Sequence, residues 1–538
     1  VTRPSELSVS LSGSLSGHLE RAVPNMPVSS DAADRVAYAR DLWPRHHLAV
    51  RAGNVAEHRP GAIVWPRSTE DVVDLVRWAR DAGVPLVPFG AGSGVCAGVL
   101  PREDVVVVDM KRMARWRRLD EAAPTLEVEA GHMGVPLEEN LGKKGFTLGH
   151  FPSSILCSSV GGWVAARSAG QCSGYYGKIE DMVVALECVT GAGEKVTLRR
   201  RAHGPDLVPL VIGSEGTLAI VTAATLRLHP APTARAFGAW SFPSTEAGWE
   251  AMRALFQAGL RPAVSRLYDP FDAMLAKRGA VKSKRPRGGG GEQSSPGLGA
   301  AALRSMLRHP RVLNELIDAA GGRALGGSML VVIFEGTGEG PSASMDVARA
   351  ILANAGGKAD GEGPARQWLQ RRYSVSYRQA PVFASGAFAD TMEVATVWSN
   401  LPRLYDAVRR ALGAHVFVMA HLSHAYPDGC CIYFSFAGSA AEGETAAHWD
   451  TACEATYDRA WKDALRAAVE AGGTLAHHHG VGRSKAPRLR DELGAGVDVV
   501  RALKVAFDPA GILNPGNLLP PCEPEPHIDD THPKAVTG

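Results

Sequence analysis

The sequence predicts an α+β fold: a glycine-loop domain followed by a second domain of alternating strands and helices. Three observations predict it. A strand–helix–strand pattern beginning near residue 60 runs into a loop dense in glycine, Pro88-Phe89-Gly90-Ala91-Gly92-Ser93-Gly94-Val95-Cys96-Ala97-Gly98. A stretch of small residues, Gly149 to Gly193, ends in an apolar run, Met182 to Val189, stopped by Gly191-Ala192-Gly193, the pattern of a buried strand. After His229-Pro230 strands alternate with helices and no glycine fingerprint recurs.

The chain has 538 residues, room for roughly two to three domains with large cores. Hydrophobic residues are 45% and charged residues 21%, an ordinary globular mixture. A net charge of +2 is too near neutral to argue for nucleic acid. The cysteines at 96, 157, 172, 188, 430, 431, 453 and 522 form no CxxC pair, and reduced thiols in a cytosolic protein are the expectation. No apolar run has membrane-spanning length, and the opening residues lack a charged-then-apolar signal pattern. The Ala- and Arg-rich usage points to a bacterial source.

Taken in order, residues 1 to about 30 are Ser-rich and expected to be flexible, and residues 31–57 add a short helical lead-in. Pro60 to Pro66 reads as a strand. Ser68-Thr69-Glu70-Asp71 caps a helix with Val72, Val73, Leu75, Val76 and Ala79 on its apolar side, ending near Gly83. The strand Val84 to Val87 enters the glycine loop, whose consecutive N–H groups suit a pyrophosphate. A strand, Val105 to Asp109, follows the loop rather than a helix, which excludes the dinucleotide GxGxxG fingerprint, and no Gly-Lys-Ser/Thr is present for a Walker loop. In the small-residue stretch, backbone can approach a flat ligand closely; a tight helix on a sheet has the same composition. Gly213-Ser214-Glu215-Gly216-Thr217-Leu218-Ala219-Ile220-Val221-Thr222 then leads into a strand ending at Leu228.

In the second domain, Arg266 to Asp269 and Val331 to Gly336 read as strands. Between them, near residues 276–300, lies a basic, glycine-rich insertion carrying Lys277, Arg278, Lys282, Lys284, Arg285 and Arg287. It is expected to be disordered, either a solvated loop or a segment attracted to anionic lipid at up to about 1 kcal/mol per cation. Cys431-Ile432-Tyr433-Phe434-Ser435-Phe436 alternates, with Tyr433 and Ser435 on one face. Tyr433 is either a core tyrosine or an acid/base. His477-His478-His479-Gly480 is contiguous, so its rings cannot all face one ion; no metal is expected. Histidine near neutrality suits proton transfer. Arg378 is either a surface ion-pair partner or a fork for phosphate or carboxylate. The tail, residues 520–538, is rich in Pro, His and acid and expected to be disordered.

Several motifs together resemble one family. Pro152-Ser153-Ser154, Gly161-Gly162-Trp163, Arg167-Ser168-Ala169-Gly170 and Tyr176-Gly177-Lys178-Ile179-Glu180-Asp181 are similar to the flavin-contacting segment of the vanillyl-alcohol-oxidase, or PCMH-type, FAD enzymes, in the wording of the alkyldihydroxyacetonephosphate synthases. The loop at residues 88–98, the segment 213–222 and the closing Phe507-Asp508-Pro509-Ala510-Gly511-Ile512-Leu513-Asn514-Pro515-Gly516-Asn517-Leu518 match the same family, so the resemblance covers about residues 58 to 519. It implies an FAD-binding domain of two α+β subdomains at 58–230, a cap domain with an antiparallel sheet at 231–470, and a C-terminal segment, 471–519, returning to the flavin.

The resemblance assigns residues to roles. FAD, held without a covalent bond, would meet Pro88, Gly90, Ala91, Gly92, Ser93, Gly94 and Gly98. It would also meet Pro152, Ser153, Ser154, Ser158, Gly161, Gly162, Trp163, Arg167, Ser168, Gly170, Tyr176, Gly177 and Ile179, and beyond them Glu215, Gly216, Leu218, Ile220 and Asn517. Tyr433 would be the acid/base, with His477, His478 and His479 supplying the cations or hydrogen-bond donors its phenol needs to lose a proton. Arg378, Thr391 and His150 would hold phosphate. The implied activity exchanges the acyl chain of acyl-dihydroxyacetone phosphate for a fatty alcohol in ether lipid synthesis, with no net redox change. The cysteine usage points to the cytoplasm, the basic insertion to peripheral contact with an anionic membrane, and the family's habit to a homodimer. One departure stands out: the synthases have Arg and Gln where His421 and His424 fall. FAD-linked dehydrogenases of D-2-hydroxy acids place metal-ligating histidines there, with an acidic partner such as Glu393, though their fuller Gly-His-x-Gly-Asp-Gly-Asn pattern is absent. A D-2-hydroxy-acid dehydrogenase or oxidase is therefore the alternative activity, and a non-catalytic flavin-binding protein a lesser one.

Overall fold

The capping box at Ser68 sets the start of the first long helix. Its side chain accepts from the Asp71 N–H at 3.1 Å, and Asp71 accepts from the Ser68 N–H at 3.2 Å. The helix ends at Gly83, whose φ of 67° is a left-handed turn that glycine adopts without strain. The structure is a computed structural model and describes residues 15–54, 58–278, 304–324, 326–374, 379–440, 445 and 448–519. The basic insertion beyond 278, Val375 to Arg378 and the C-terminal tail lie outside the described residues.

The first sheet holds β1 (Val28–Ser29), β2 (Ala62–Val64), β3 (Leu86–Phe89) and β4 (Val106–Asp109) in the order β1-β2-β4-β3. β2 and β3 both run parallel to β4. Their side chains are almost all buried, as expected of parallel strands covered on both faces. The expectation of a flexible opening is corrected for residues 15–30, while residues 1–14 lie outside the described residues. Helix α1 (Leu15–Ala22) buries Leu19, Val23 and Met26 are buried beside it, and β1 pairs with β2. Apolar residues spaced four and three apart among the serines carry that packing.

The second sheet is antiparallel, order β5-β6-β9-β7-β8: β5 (Trp116–Asp120), β6 (Thr125–Glu129), β7 (Val183–Thr190), β8 (Lys195–Arg199) and β9 (Ala219–Arg227). Helix α2 (Val160–Ala166), capped by the Ser159 side chain, packs on this sheet, and helix α3 (Ser173–Tyr176) packs against the cap strands Val264–Tyr268 and Phe417–Ala425.

The cap sheet has seven antiparallel strands: β10 (Ala234–Phe242), β11 (Val264–Tyr268), β12 (Ser328–Gly336), β13 (Lys358–Gly361), β14 (Phe388–Val397), β15 (Phe417–Ala425) and β16 (Gly429–Gly438). Their order is β13-β10-β12-β11-β15-β16-β14. One apolar core runs from Leu126, Leu186 and Ala224 of the second sheet to Val331 and Ile333 under the cap, so the two domains pack as one body. Tyr373 and Ser374 lie in a turn following the helix Gly363–Arg371. The C-terminal segment extends the first sheet: Leu86 N–H donates to Ile512 O, and Asn514 N–H donates to Leu86 O, both at 2.8 Å. Among the described residues no helix is long and apolar enough to cross a membrane.

Candidate active site

Glycine makes the floor of one large cavity. A Cβ on Gly90 would lie 2.5 Å from Ser159 Oγ, and one on Gly161 would lie 2.8 Å from the Ala130 Cβ. Two backbones therefore approach as only glycine permits. The cavity, about 1380 Å³, exceeds the roughly 300–1,000 Å³ of most small-molecule sites. It runs from the glycine loop, past the second sheet, to the underside of the cap.

Of the residues expected on the cofactor, Pro88, Gly90 to Gly94 and Gly98 line it. So do Pro152, Ser153, Ser154, Ser158, Gly161, Gly162, Trp163 and Ser168, with Glu215, Gly216 and Ile220. The others frame this wall from behind. The Arg167 guanidinium turns outward to the carbonyls of Pro209 and Ile212 and to Glu180. Tyr176 donates its hydroxyl to Glu335 of the cap at 2.8 Å. Gly170 lets the Phe151 backbone close in, Gly177 makes room for Asp181, and Ile179 and Leu218 are buried. Asn517 donates to Glu215 Oε2 at 3.0 Å and so fixes a cavity residue without facing the cavity.

Opposite the glycines, β16 presents Tyr433. Its hydroxyl lies 2.6 Å from His478 Nε2 and 3.1 Å from His424 Nε2. The His421 ring stacks on it, centroids 4.8 Å apart and planes 17° apart. His478 and His479 reach the cavity, whereas His477 points away, its Nδ1 2.9 Å from His478 Nδ1. The histidine loop is held by one carboxylate. Glu393 accepts the N–H of His477 at 2.6 Å, of His478 at 3.3 Å and of His479 at 2.9 Å. Lys485, fully buried, stands 3.7 Å from the same carboxylate.

Electrostatics leaves the histidines as neutral donors and acceptors, not cations. Burial lowers His477 and His479 to about 4 and holds His478, His421 and His424 well below the ordinary value, so all five rings are neutral near pH 7. Burial, then Cys431 and Glu393, keep the Tyr433 phenol protonated. Burial alone would raise Glu393; Lys485 and the neighbouring histidines outweigh it and hold the carboxyl below the usual range.

Thr391 lines the cavity, its hydroxyl 3.3 Å from Ser435 Oγ. His150 does not: it is buried behind Trp163 and Ser168, with Nε2 3.1 Å from Ser168 Oγ, so it supports the wall instead of holding phosphate. Arg378 lies outside the described residues. Two cations that motif reading missed do line the cavity, Arg266 and Arg372. The Arg266 guanidinium donates to His421 Nε2 at 2.7 Å, and Arg372 lies over the Phe151 ring at 4.5 Å. Alternation along β11, which sets Arg266 and Tyr268 on one face, was the available signal for Arg266.

The two-histidine metal arrangement does not assemble. His421 uses its nitrogens on Arg266 and Asp272, and His424 uses its own on Tyr433 and Ser173. Glu393 faces the histidine run instead. Among the described residues, donor atoms of Glu393, Cys431, His477 and His478 lie within 4.8 Å of one another. The carboxylate there is already engaged by backbone N–H groups, and burial keeps the Cys431 thiol protonated.

Comparison with known proteins fits this geometry. Residues 231–518 match the family of FAD linked oxidases, C-terminal domain, and residues 60–199 match the FAD binding domain family. The alkyldihydroxyacetonephosphate synthase of Trypanosoma brucei brucei is 30% identical over 511 residues, 92% of this chain and 78% of that protein. Glycolate oxidase subunit GlcD of Bacillus subtilis is 26% identical over 504 residues, 90% of this chain and 92% of that protein. A solved alkyldihydroxyacetonephosphate synthase superposes with a TM-score of 0.72 at 26% identity, covering 96% of this chain and 87% of that one. The glycine cradle, tight at Gly90, Gly92 and Gly161 and opening on a cavity of about 1380 Å³, fits FAD as the cofactor. The chain belongs to the vanillyl-alcohol-oxidase/PCMH-type FAD-binding family, as a member like the alkyldihydroxyacetonephosphate synthases.

Proposed function

We propose that this FAD enzyme exchanges the acyl chain of acyl-dihydroxyacetone phosphate for a fatty alcohol. One observation carries the reading: the cavity is amphiphilic. Its inner end holds Tyr433, His478, His479 and Arg266; its outer end is lined by Phe271, Leu275, Leu307, Leu313, Ile317 and Phe417. A phosphate ester with a long acyl chain has the same two ends. At the outer end Leu275 and Met306 are 42% and 55% exposed, a mouth suited to substrates drawn from a lipid surface.

When bound, without a covalent link, the flavin supplies an electrophile and electron sink. The chain's residues supply position and protons. Arg266, and Arg372 beside the small-residue segment, attract the phosphate. Tyr433 oxygen takes the proton from the carbon bearing the ester while its own proton passes to His478 Nε2. His478 can accept because burial keeps it neutral. The imidazolium so formed lies 3.8 Å from Glu393 at its Nδ1. The returning proton retraces this path. The apolar outer end keeps water from competing with the alcohol.

The test is the anaerobic visible spectrum of the FAD-loaded protein. Acyl-dihydroxyacetone phosphate is expected to bleach it, and a fatty alcohol to restore it with release of the ether product. An unchanged spectrum, with full reduction by D-lactate or another 2-hydroxy acid, would replace this reading by the dehydrogenase, in which Arg266 binds the carboxylate.

A further inference from the structure

We propose that Tyr433, His424, Ser173 and Tyr426 form a proton exit from the cavity, a branch separate from the histidine run. The inference rests on the reading of Tyr433 as acid/base.

Backbone geometry first singles out His424. The pairing of β15 with β16 shifts register between Ser423 and Ala425, so His424 is the extra residue of a β-bulge. Its φ is 52°, a left-handed conformation uncommon for a non-glycine residue. Bulges re-aim a side chain, and such strain persists where the surroundings fix it. Here the ring is aimed from the cap sheet at both the cavity and the flavin domain. Its Nε2 is 3.1 Å from Tyr433 Oη and its Nδ1 is 2.8 Å from Ser173 Oγ. Ser173 Oγ is 3.0 Å from Tyr426 Oη. Tyr426 is half-buried and precedes the exposed turn residues Pro427 and Asp428. The path thus leads from a cavity group to Tyr426, the residue next to an exposed turn.

Each link holds one proton. A neutral imidazole donates from one nitrogen and accepts at the other, and each hydroxyl donates once. With the Tyr433 hydroxyl turned from His478 to His424, the chain runs in one sense: Tyr433 to His424 Nε2, His424 Nδ1–H to Ser173, Ser173 to Tyr426. A proton arriving at Tyr433 oxygen displaces Tyr433's own to His424 Nε2. The Nδ1 proton moves to Ser173 Oγ, Ser173's to Tyr426 Oη, and Tyr426's to water. One proton leaves the cavity, no electrons move, and every group ends neutral with the sense of the chain reversed. Burial, which keeps His424 unprotonated at rest, suits a relay rather than a store. Ser173 is a positioning residue acting through His424.

The test uses the full-length FAD-loaded chain and its S173A, S173T and Y426F variants. Turnover with acyl-dihydroxyacetone phosphate and a long-chain alcohol is measured in H₂O and D₂O. Ser173→Ala is expected to lower kcat by roughly tenfold or more and raise its solvent isotope effect, with KM within about twofold. Ser173→Thr, which keeps the hydroxyl, is expected to restore both, and Tyr426→Phe to behave like Ser173→Ala. Wild-type kcat and isotope effect in Ser173→Ala, or failure of Ser173→Thr alongside it, overturns the exit. A second readout needs no substrate. Ring-nitrogen NMR of histidine-labelled protein is expected to show both His424 and His478 signals moving in Ser173→Ala, because Tyr433 links them; movement of His424 alone overturns the relay. Retained turnover in Tyr433→Phe would instead remove the assigned acid/base, an outcome distinct from both.

Discussion

Glu393 stands directly opposite Tyr433 in the antiparallel register of β14 and β16. Its carboxylate also holds the three N–H groups of the histidine run, so one cross-strand pair sets the phenol and its partner together. The counter-charge is Lys485, at 0% exposure, whose ammonium has no hydrogen bond among the described residues. Burial opposes its charge, while Cys96, Glu393 and Glu215 favour it. Glu393→Gln orphans that lysine, a loss of about 3–5 kcal/mol for a broken buried pair. Urea unfolding of the FAD-loaded protein is expected to show that loss. The double variant Glu393→Gln/Lys485→Met is expected to be more stable than Glu393→Gln alone. A double variant less stable than either single one would mean the two groups are not coupled.

Tyr433→Phe removes only the hydroxyl that touches His478 and His424. General acid–base groups contribute roughly 10²–10⁴-fold, and kcat is expected to fall by that amount with FAD content and KM little changed. The ring remains to stack on His421, so loss of FAD would point to a packing role instead.

Much of this site was legible in the sequence because its parts are local. The glycine loop, the capping box at Ser68 and the alternation that turns Tyr433 to the cavity each depend on neighbours a few residues away. Other features depend on residues far apart in the chain. Lys485 meets Glu393 across 92 positions (485 − 393) and Ser173 meets His424 across 251. No period or motif encodes such pairings. The His424 bulge was invisible because a histidine carries no mark of positive φ as glycine does. The histidine charge was not legible because the ordinary pKa says nothing of burial. Helix α1 was missed because serine-rich composition masked three apolar anchors.

Gly90→Ala tests the cradle. The added Cβ would lie 2.5 Å from the Ser159 Oγ, which caps helix α2 through the Gly162 N–H at 3.4 Å. Either the cap breaks or the loop retreats, at a cost of about 1–3 kcal/mol for overpacking. FAD affinity, read by fluorescence quenching on titration, is expected to weaken about tenfold or more at that energy. Unchanged affinity would show that the loop moves freely and does not shape the cofactor site.

Acid stability tests the neutral histidines, with the sign fixed by linkage. His479 is lowered by burial from 6.5 to about 4, so the unfolded chain binds its proton first as pH falls. Its contribution is therefore full above pH 6.5 and is lost as pH falls from 6.5 toward 4. Buried carboxylates oppose this trend. Asp390, raised by burial to about 7, and Asp269 and Asp272, raised to about 6, stabilise the fold on the acid side and lose that contribution as pH rises. The total curve mixes both signs, so the informative quantity is the difference between wild type and His479→Gln. That difference is expected to swing against wild type by about 3 kcal/mol between pH 7 and pH 4. Denaturant midpoints at intervals of half a pH unit give it directly. A difference independent of pH would mean that His479 stays protonatable in the folded protein and that the histidine loop is open to water.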